Sequence, residues 1–339
     1  MADISFEREP SRPQEHSVPR FAGIATFARL PHTRSLEGVD VAIFGVPFDG
    51  GTSYRPGARF GPGAIRQASR LLRAYNYALD VQPFEDLSII DYGDLQVVPS
   101  DIEDTYALLE REAGALYDGG VFPIAMGGDH SVILPLLRAC ARKHGPVSLV
   151  QFDAHIDTWE KVFGKRYNHS TAIKRAIEEG LIDPHRSIQV GIRASQPFPN
   201  DLDRTRGLGL TIVTAEELFA RGIPDVTAEI LGTVGPKVYL TFDIDFVDPA
   251  FAPGTGTPEV GGPSSREVLA ILRGLKTLPL VAADLMEVAP AYDQSEITAM
   301  LAANVILETV SLLAWQRRHG VGDGRAAGRP SRERARNRP

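Results

Sequence analysis

The chain has 339 residues, 43% hydrophobic and 23% charged, which is enough apolar material for a sizeable core in one or two domains and excludes a mainly disordered or collagen-like protein. A net charge of −7 does not mark nucleic acid as the main partner. The single cysteine, Cys140, excludes an intrachain disulfide framework and any multi-cysteine metal site, and it suits a reducing, cytoplasmic setting.

The first 20 residues are charged and Pro-rich, lack the apolar h-region of a secretory signal, and read as an arm. A single domain is expected over 21–316. From Arg317 onward eight arginines face Asp323 and Glu333, so this stretch carries +6 and reads as a disordered basic tail, leaving −13 on the rest. Its expected state is solvated, without nucleic acid or membrane as partner. That acidic remainder needs a cause.

Between the ends, short apolar runs alternate with helical patterns. Residues 39–46 form a near-continuous apolar run, as in a strand covered on both faces. Helical spacing follows over 62–73, and a second strand is expected at 87–90. The segment 101–117 predicts a helix capped by Ser100 or Asp101 and stopped at Gly119-Gly120. A strand at 121–125, a helix at 132–142, a strand at 147–152 and a helix at 171–179 come next. Further strands are predicted at 187–190, 210–213, 237–242 and 280–283, with helices around 215–221, 225–231 and 265–275. The last helix spans about 294–315. Its apolar stretch is broken by Asn304 and Glu308, as expected of a buried helix rather than a membrane span. Strict alternation predicts an α/β fold with three layers, α/β/α, around a mostly parallel sheet. Ligands in such folds bind beyond the carboxyl ends of the strands.

Three polar runs fall there. Asp153-Ala154-His155-Ile156-Asp157 follows the strand at 147–152, and alternation in an extended chain turns its two carboxylates and imidazole to one side. Asp243-Ile244-Asp245 follows the strand at 237–242. Met126-Gly127-Gly128-Asp129-His130-Ser131 follows the strand at 121–125, its glycines suited to close backbone approach or positive φ. Singly, each is more often a cap, a loop or a turn. Together, carboxylates at strand ends repel unless cations neutralise them. Four aspartates and two histidines suffice for two divalent ions. Oxygen and imidazole donors without thiolate favour Mn2+, with Ni2+, Fe2+ and Zn2+ as alternatives. Two such ions about 3.5–4 Å apart can clamp a water and acidify it.

These runs, in this order and spacing, resemble the three signatures of the arginase/agmatinase (ureohydrolase) family. The resemblance extends through Gly50-Gly51-Thr52-Ser53-Tyr54-Arg55-Pro56-Gly57-Ala58-Arg59-Phe60-Gly61-Pro62, Gln189-Val190-Gly191-Ile192-Arg193 and Ala252-Pro253-Gly254-Thr255-Gly256-Thr257-Pro258, and covers about residues 18–315. It is closest to the agmatinase branch, which includes guanidinobutyrase, guanidinopropionase and proclavaminate amidinohydrolase. It implies the arginase-like fold and a linear guanidino substrate, agmatine or a guanidino acid such as 4-guanidinobutanoate, hydrolysed to urea and an amine. It implies one Mn2+ held by His130, Asp153, Asp157 and Asp243, and a second held by Asp153, His155, Asp243 and Asp245, with Asp153 and Asp243 bridging. It also implies His169 as a proton shuttle, Glu287 as the grip on the guanidinium, Asp245 as catalytic besides ligating, and a homo-oligomer, trimer or hexamer.

Trp159 and Asn168 join Glu287 as candidate substrate contacts. Arg193 and Gln189 read more readily as an ion-pair residue and a sheet-edge polar group. Three departures from the branch stand beside the site: Ser170 where glycine is usual, Ile173 where an aromatic is usual, and Ala289 where asparagine is usual. Ser170 and Ala289 motivate one alternative, a non-catalytic subunit that keeps the fold; another is a guanidine or atypical guanidine-derivative hydrolase using Ni2+. A single-zinc deacetylase on a related fold is disfavoured, because His155 and Asp245 offer a second site. Substrate choice is expected to lie in 158–168, where Glu160 is accompanied by Lys161, Lys165 and Arg166. That basic excess suits a carboxylate tail.

Overall fold

A computed structural model describes residues 19–321. The expected N-terminal arm over 1–18 and the expected basic tail over 322–339 lie outside the described residues. Eight strands are present: β1 Val41–Val46, β2 Ile89–Asp94, β3 Phe122–Gly127, β4 Ser148–Phe152, β5 Ile188–Ile192, β6 Thr211–Thr214, β7 Val238–Asp243 and β8 Leu280–Met286. They form one sheet in the order β2-β1-β3-β8-β7-β4-β5-β6. Every pairing is parallel. Strand by strand these match the eight apolar runs.

Helices cover both faces, which is why the strands read as continuous apolar runs. Side chains alternate across the sheet. On one face Ile43, Ile124, Val150, Phe152, Leu240 and Phe242 pack with the helices Gly61–Ser69, Ile223–Thr233, Ser265–Gly274 and Ile297–His319. On the other, Ala42, Phe44, Ala125, Leu149 and Tyr239 pack under Ile102–Asp118, Ile133–His144 and Ala172–Glu178. The cap of Ile102–Asp118 is Asp101, whose carboxylate accepts from the N–H groups of Glu103 and Asp104.

Three of the differences from the sequence reading have clear physical causes. Strand β2 continues past Ile90 into polar residues because buried Asp91 is neutralised by Arg66, with Nε–Oδ2 at 2.8 Å. A helix at Asp201–Gly207 lies in a polar segment with no apolar periodicity to announce it. The last helix runs to His319, so the basic tail does not begin at Arg317. Basic residues suit a helix C-terminus, and Gly320 ends this one at φ 64°. Arg317 forks onto Asp40 at 2.6 and 2.8 Å. The same helix is long and apolar enough to cross a membrane, but most of its residues are buried in the protein, and Glu308 is bound by Arg273 and Asn76.

The order of the four central strands positions the site. β3, β8, β7 and β4 are neighbours although they are far apart in the chain. Phe152 pairs with Phe242, and Asp243 with Met286. The residues that follow β4, β7 and β8 therefore emerge side by side at one end of the sheet. Beneath them Phe152, Phe242 and Phe246 pack with ring centroids 5.1–5.8 Å apart. Each such aromatic pair adds about 0.5–1.5 kcal/mol beyond area burial, giving the strand ends a stiff floor.

Candidate metal centre

All six residues expected to bind metal converge at the strand ends, in two groups. His130 Nδ1 lies 3.1 Å from Asp157 Oδ2, 3.2 Å from Asp153 Oδ2 and 3.3 Å from Asp243 Oδ2. His155 Nδ1 lies 2.9 Å from Asp245 Oδ2 and 3.5 Å from Asp153 Oδ1. The two oxygens of Asp153 thus face different histidines, and the groups His130, Asp153, Asp157 and Asp153, His155, Asp245 share that carboxylate.

Local backbone explains the convergence. The paired glycines serve close approach: a Cβ on Gly128 would fall 1.8 Å from Phe48 O, and one on Gly127 would fall 1.9 Å from Met286 Sδ. Asp243 caps the turn Ile244–Phe246 by accepting the Asp245 N–H at 2.9 Å, which aligns the second carboxylate of its pair. Asp157 and Glu287 sit at φ 49° and 68°. Such conformations cost an ordinary residue about 1–2 kcal/mol and persist where the surroundings hold them.

The tautomer of His130 tests whether the site suits cations. Thr241 gives its one hydroxyl hydrogen to Asp284, with Oγ1–Oδ1 at 2.6 Å, so its oxygen accepts Nε2–H of His130 at 2.8 Å. A neutral His130 then turns the lone pair of Nδ1, a buried atom with no hydrogen-bond partner, toward three carboxylates. Such an arrangement needs positive charge at its centre. In the metal-free protein, protons provide it. Burial opposes charging His130, but Asp153, Asp157 and Asp243 outweigh it and raise its pKa well above normal. Burial likewise opposes charging His155, and Asp245 and Asp153 raise it. Burial and then repulsion from Asp153 push Asp157 to about 6. Burial, Asp245 and Asp153 push Asp243 well up. The donor set fits two divalent cations.

Support for the ligands comes from Gln189, which lies on the interior strand β5 and not at a sheet edge, and from Gln151 and Arg193. Gln189 donates to Gln151 Oε1 and Ile156 O, both at 2.7 Å, and Gln151 donates to Asp153 Oδ2 at 2.8 Å. Arg193 donates to the carbonyls of Asp245 and Glu259, each at 2.7 Å, and of Phe246 at 3.0 Å. It clamps two loops and forms no ion pair through its guanidinium within this group. The Asp284–Thr241–His130 relay predicts that Thr241→Val, which keeps the shape and loses the hydroxyl, weakens metal binding about 10–100-fold. Competition with a fluorescent chelator measures this. Unchanged affinity would show that the relay does not orient the ring.

His169 and Glu287 form a second buried pair. Glu287 Oε1 accepts the His130 N–H at 2.8 Å and faces His169 Nδ1 at 2.9 Å, while Oε2 is buried with no hydrogen-bond partner. The Ser53 N–H points at His169 Nε2 from 3.1 Å, so Nε2 carries the lone pair and Nδ1–H donates to Glu287. Burial opposes charging this ring, but Glu287 and then Asp129 carry its pKa to about 9. Ser53 Oγ, 2.7 Å from Nε2, can accept when that nitrogen is protonated. Asp129 holds the Ser53 loop by accepting from Gly51 N at 2.7 Å.

Above these groups opens a cavity of about 490 Å3, lined by His155, Asp157, His169 and Asp243 at its floor and by Ser53, Trp159, Lys161, Phe163, Ser170, Gln196, Thr257 and Glu259 among its walls. Trp159 lines the cavity. Asn168 does not line the cavity: its side chain accepts from Ser170 N and donates to Gly51 O, so it is a cap that fixes the turn carrying His169. Glu287 lies behind His169 and is not on the wall. Of the departures, Ser170 is on the wall, Ile173 is buried in the core, and Ala289 is buried beside Gly254. Ser53, Thr257 and Glu259 were missed as wall residues, although Ser53 and Thr257 lie in runs that carried the resemblance.

The arginase family model matches residues 39–311. Guanidinobutyrase of Pseudomonas aeruginosa is 42% identical over 302 residues, covering 88% of this chain and 95% of that protein. The mitochondrial agmatinase of Gallus gallus is 42% identical over 302 residues, covering 89% of each. The solved structure of proclavaminate amidinohydrolase from Streptomyces clavuligerus superposes with a TM-score of 0.85 at 44% identity, covering 88% of this chain and 99% of that one.

Proposed function

The chain belongs to the arginase family, and on that premise we propose that it is a binuclear-metal amidinohydrolase, converting a linear guanidino compound to urea and an amine. The observation that carries this reading is the pair of histidine–carboxylate groups sharing Asp153 on the floor of the cavity. Relatives named guanidinobutyrase, agmatinase and guanidinopropionase support it.

His130, Asp153, Asp157 and Asp243 would hold one cation, and Asp153, His155, Asp243 and Asp245 the other. Oxygen and imidazole donors favour Mn2+, with Ni2+ as the alternative. A bound pair would supply Lewis acidity and an acidified water. The reaction adds water at the guanidinium carbon, breaks the bond to the chain nitrogen, and leaves that nitrogen as an amine. His169 can take or return a proton at Nε2, the ring atom beside Ser53. Glu287, off the cavity wall, would act through His169, whose Nδ1 faces its carboxylate at 2.9 Å. Cavity size and wall suit a small molecule. A homo-oligomer, trimer or hexamer, in the cytoplasm is part of the same proposal, and the one cysteine, buried, fits a reducing compartment.

The test is urea release by Mn2+-reconstituted protein from agmatine, 4-guanidinobutanoate, 3-guanidinopropanoate, arginine and guanidine. Release from a linear compound is expected. Release from guanidine alone, or only with Ni2+, would favour the guanidine hydrolase. No release from any compound with both cations bound would leave the non-catalytic subunit.

A further inference from the structure

The segment 158–168 carries charges of both signs, and the fold sorts them. Glu160 is drawn to Arg175, a fully buried side chain whose Nη2 lies 3.2 Å from Glu160 Oε2. Arg166 is drawn to Glu178 at 2.8 Å. Lys165 sits across the tight turn from Val162 and does not line the cavity. Lys161 does line it, is solvent-exposed, and has no ion pair among the described residues. The other wall charge outside the proposed ligand set and His169 is Glu259, whose Oε1 is 3.9 Å from His155 Nε2, at the floor. The cavity therefore carries one acid, Glu259, beside His155, and one lysine, Lys161, that is open to solvent.

We infer that Lys161 reads the tail of the substrate and that the substrate is a linear guanidino acid, with its guanidinium inward and its carboxylate at Lys161. This rests on the amidinohydrolase reading above. Agmatine would place an ammonium where the guanidino acid places a carboxylate, and so would meet a like charge. The contact is partly solvated, so it discriminates modestly and weakens with salt.

The experiment compares kcat/KM for 4-guanidinobutanoate and agmatine in the metal-loaded wild type, Lys161→Gln and Lys161→Glu, with melting temperature and bound metal measured for each. Lys161 is exposed on a loop, so both variants should fold and hold metal as the wild type does. The wild type should favour 4-guanidinobutanoate. Lys161→Glu should move the ratio toward agmatine by on the order of tenfold, mainly through KM, with Lys161→Gln between. Added salt should shrink the wild-type preference. A wild type that favours agmatine, or a ratio that charge inversion leaves in place, would overturn the inference while leaving the amidinohydrolase reading intact. Absence of urea from every guanidino compound would instead remove that reading, and the inference with it.

Discussion

Asp153→Asn and Asp243→Asn should each lower urea release roughly a thousandfold or more, about 4 kcal/mol of lost transition-state stabilisation, and yet differ in their effect on the metal-free protein. Asp153 faces both histidines. Burial works to raise its pKa, but His130 and His155 outweigh burial and hold it below the usual carboxylate range. A depressed carboxylate stabilises the fold above its unfolded pKa, and that contribution is lost as the pH falls through its folded value. At neutral pH it is fully present, so Asp153→Asn should lower the melting temperature in chelator. Asp243 is shifted the other way, by burial and by repulsion from Asp245 and Asp153, so it favours the neutral form that asparagine imitates. Asp243→Asn should leave the chelated protein as stable as wild type or more so. Saturating metal at a hundredfold excess over Kd should stabilise the wild type by about 2.7 kcal/mol, roughly 4 °C for a chain of this size. Neither variant should show that gain in full. Calorimetry with and without metal checks both statements, and an undiminished metal-induced shift in either would mean that carboxylate is not a ligand.

The fold was legible because both sheet faces are covered. Every residue of β1 is buried, so 39–46 could hardly read as anything but an interior strand. The ligands were legible because carboxylates and imidazoles two apart beyond such strands have few other uses. The sheet order was not legible. Nothing local in 121–127 or 280–286 says that these strands flank one another, and that adjacency brings Glu287 to His130. Support groups were hidden for the same reason: Thr241 and Asp284 matter only because β7 and β8 place them in register. Asn168 is a cap and not a wall residue, and the two cannot be told apart until the turn is built. The charges of 158–168 were counted together, but their partners Arg175 and Glu178 decide which reach the cavity. The acid excess of the chain has a local component in Asp153, Asp157, Asp243 and Asp245, four buried carboxylates in one site.

Glu287→Gln should cut kcat/KM roughly a hundredfold while preserving the fold and the metal content. The side-chain carbonyl of glutamine can accept both His130 N–H and His169 Nδ1–H, so the two contacts that Oε1 makes survive. The atom that changes is Oε2, buried and without a hydrogen-bond partner, which loses its share of the carboxylate charge. Glu287 is off the cavity wall, so that loss acts on the reaction through His169, and a hundredfold fall corresponds to about 3 kcal/mol. A second effect separates this role from a structural one. Burial opposes charging His169, and Glu287 is the main group that raises its pKa to about 9. Without that carboxylate, the ring should lose its proton at lower pH. The stability that the His169–Glu287 pair gives is present at pH below the unfolded histidine value and lost as pH rises through about 9. In Glu287→Gln that loss should shift to lower pH, and any limb of the rate profile that reports His169 should shift with it. Glu287→Ala, by contrast, strands the buried His130 N–H and should also cost about 1–3 kcal/mol of stability. A glutamine variant with wild-type kcat/KM and an unshifted profile would place Glu287 outside the chemistry, as a brace for His130 alone.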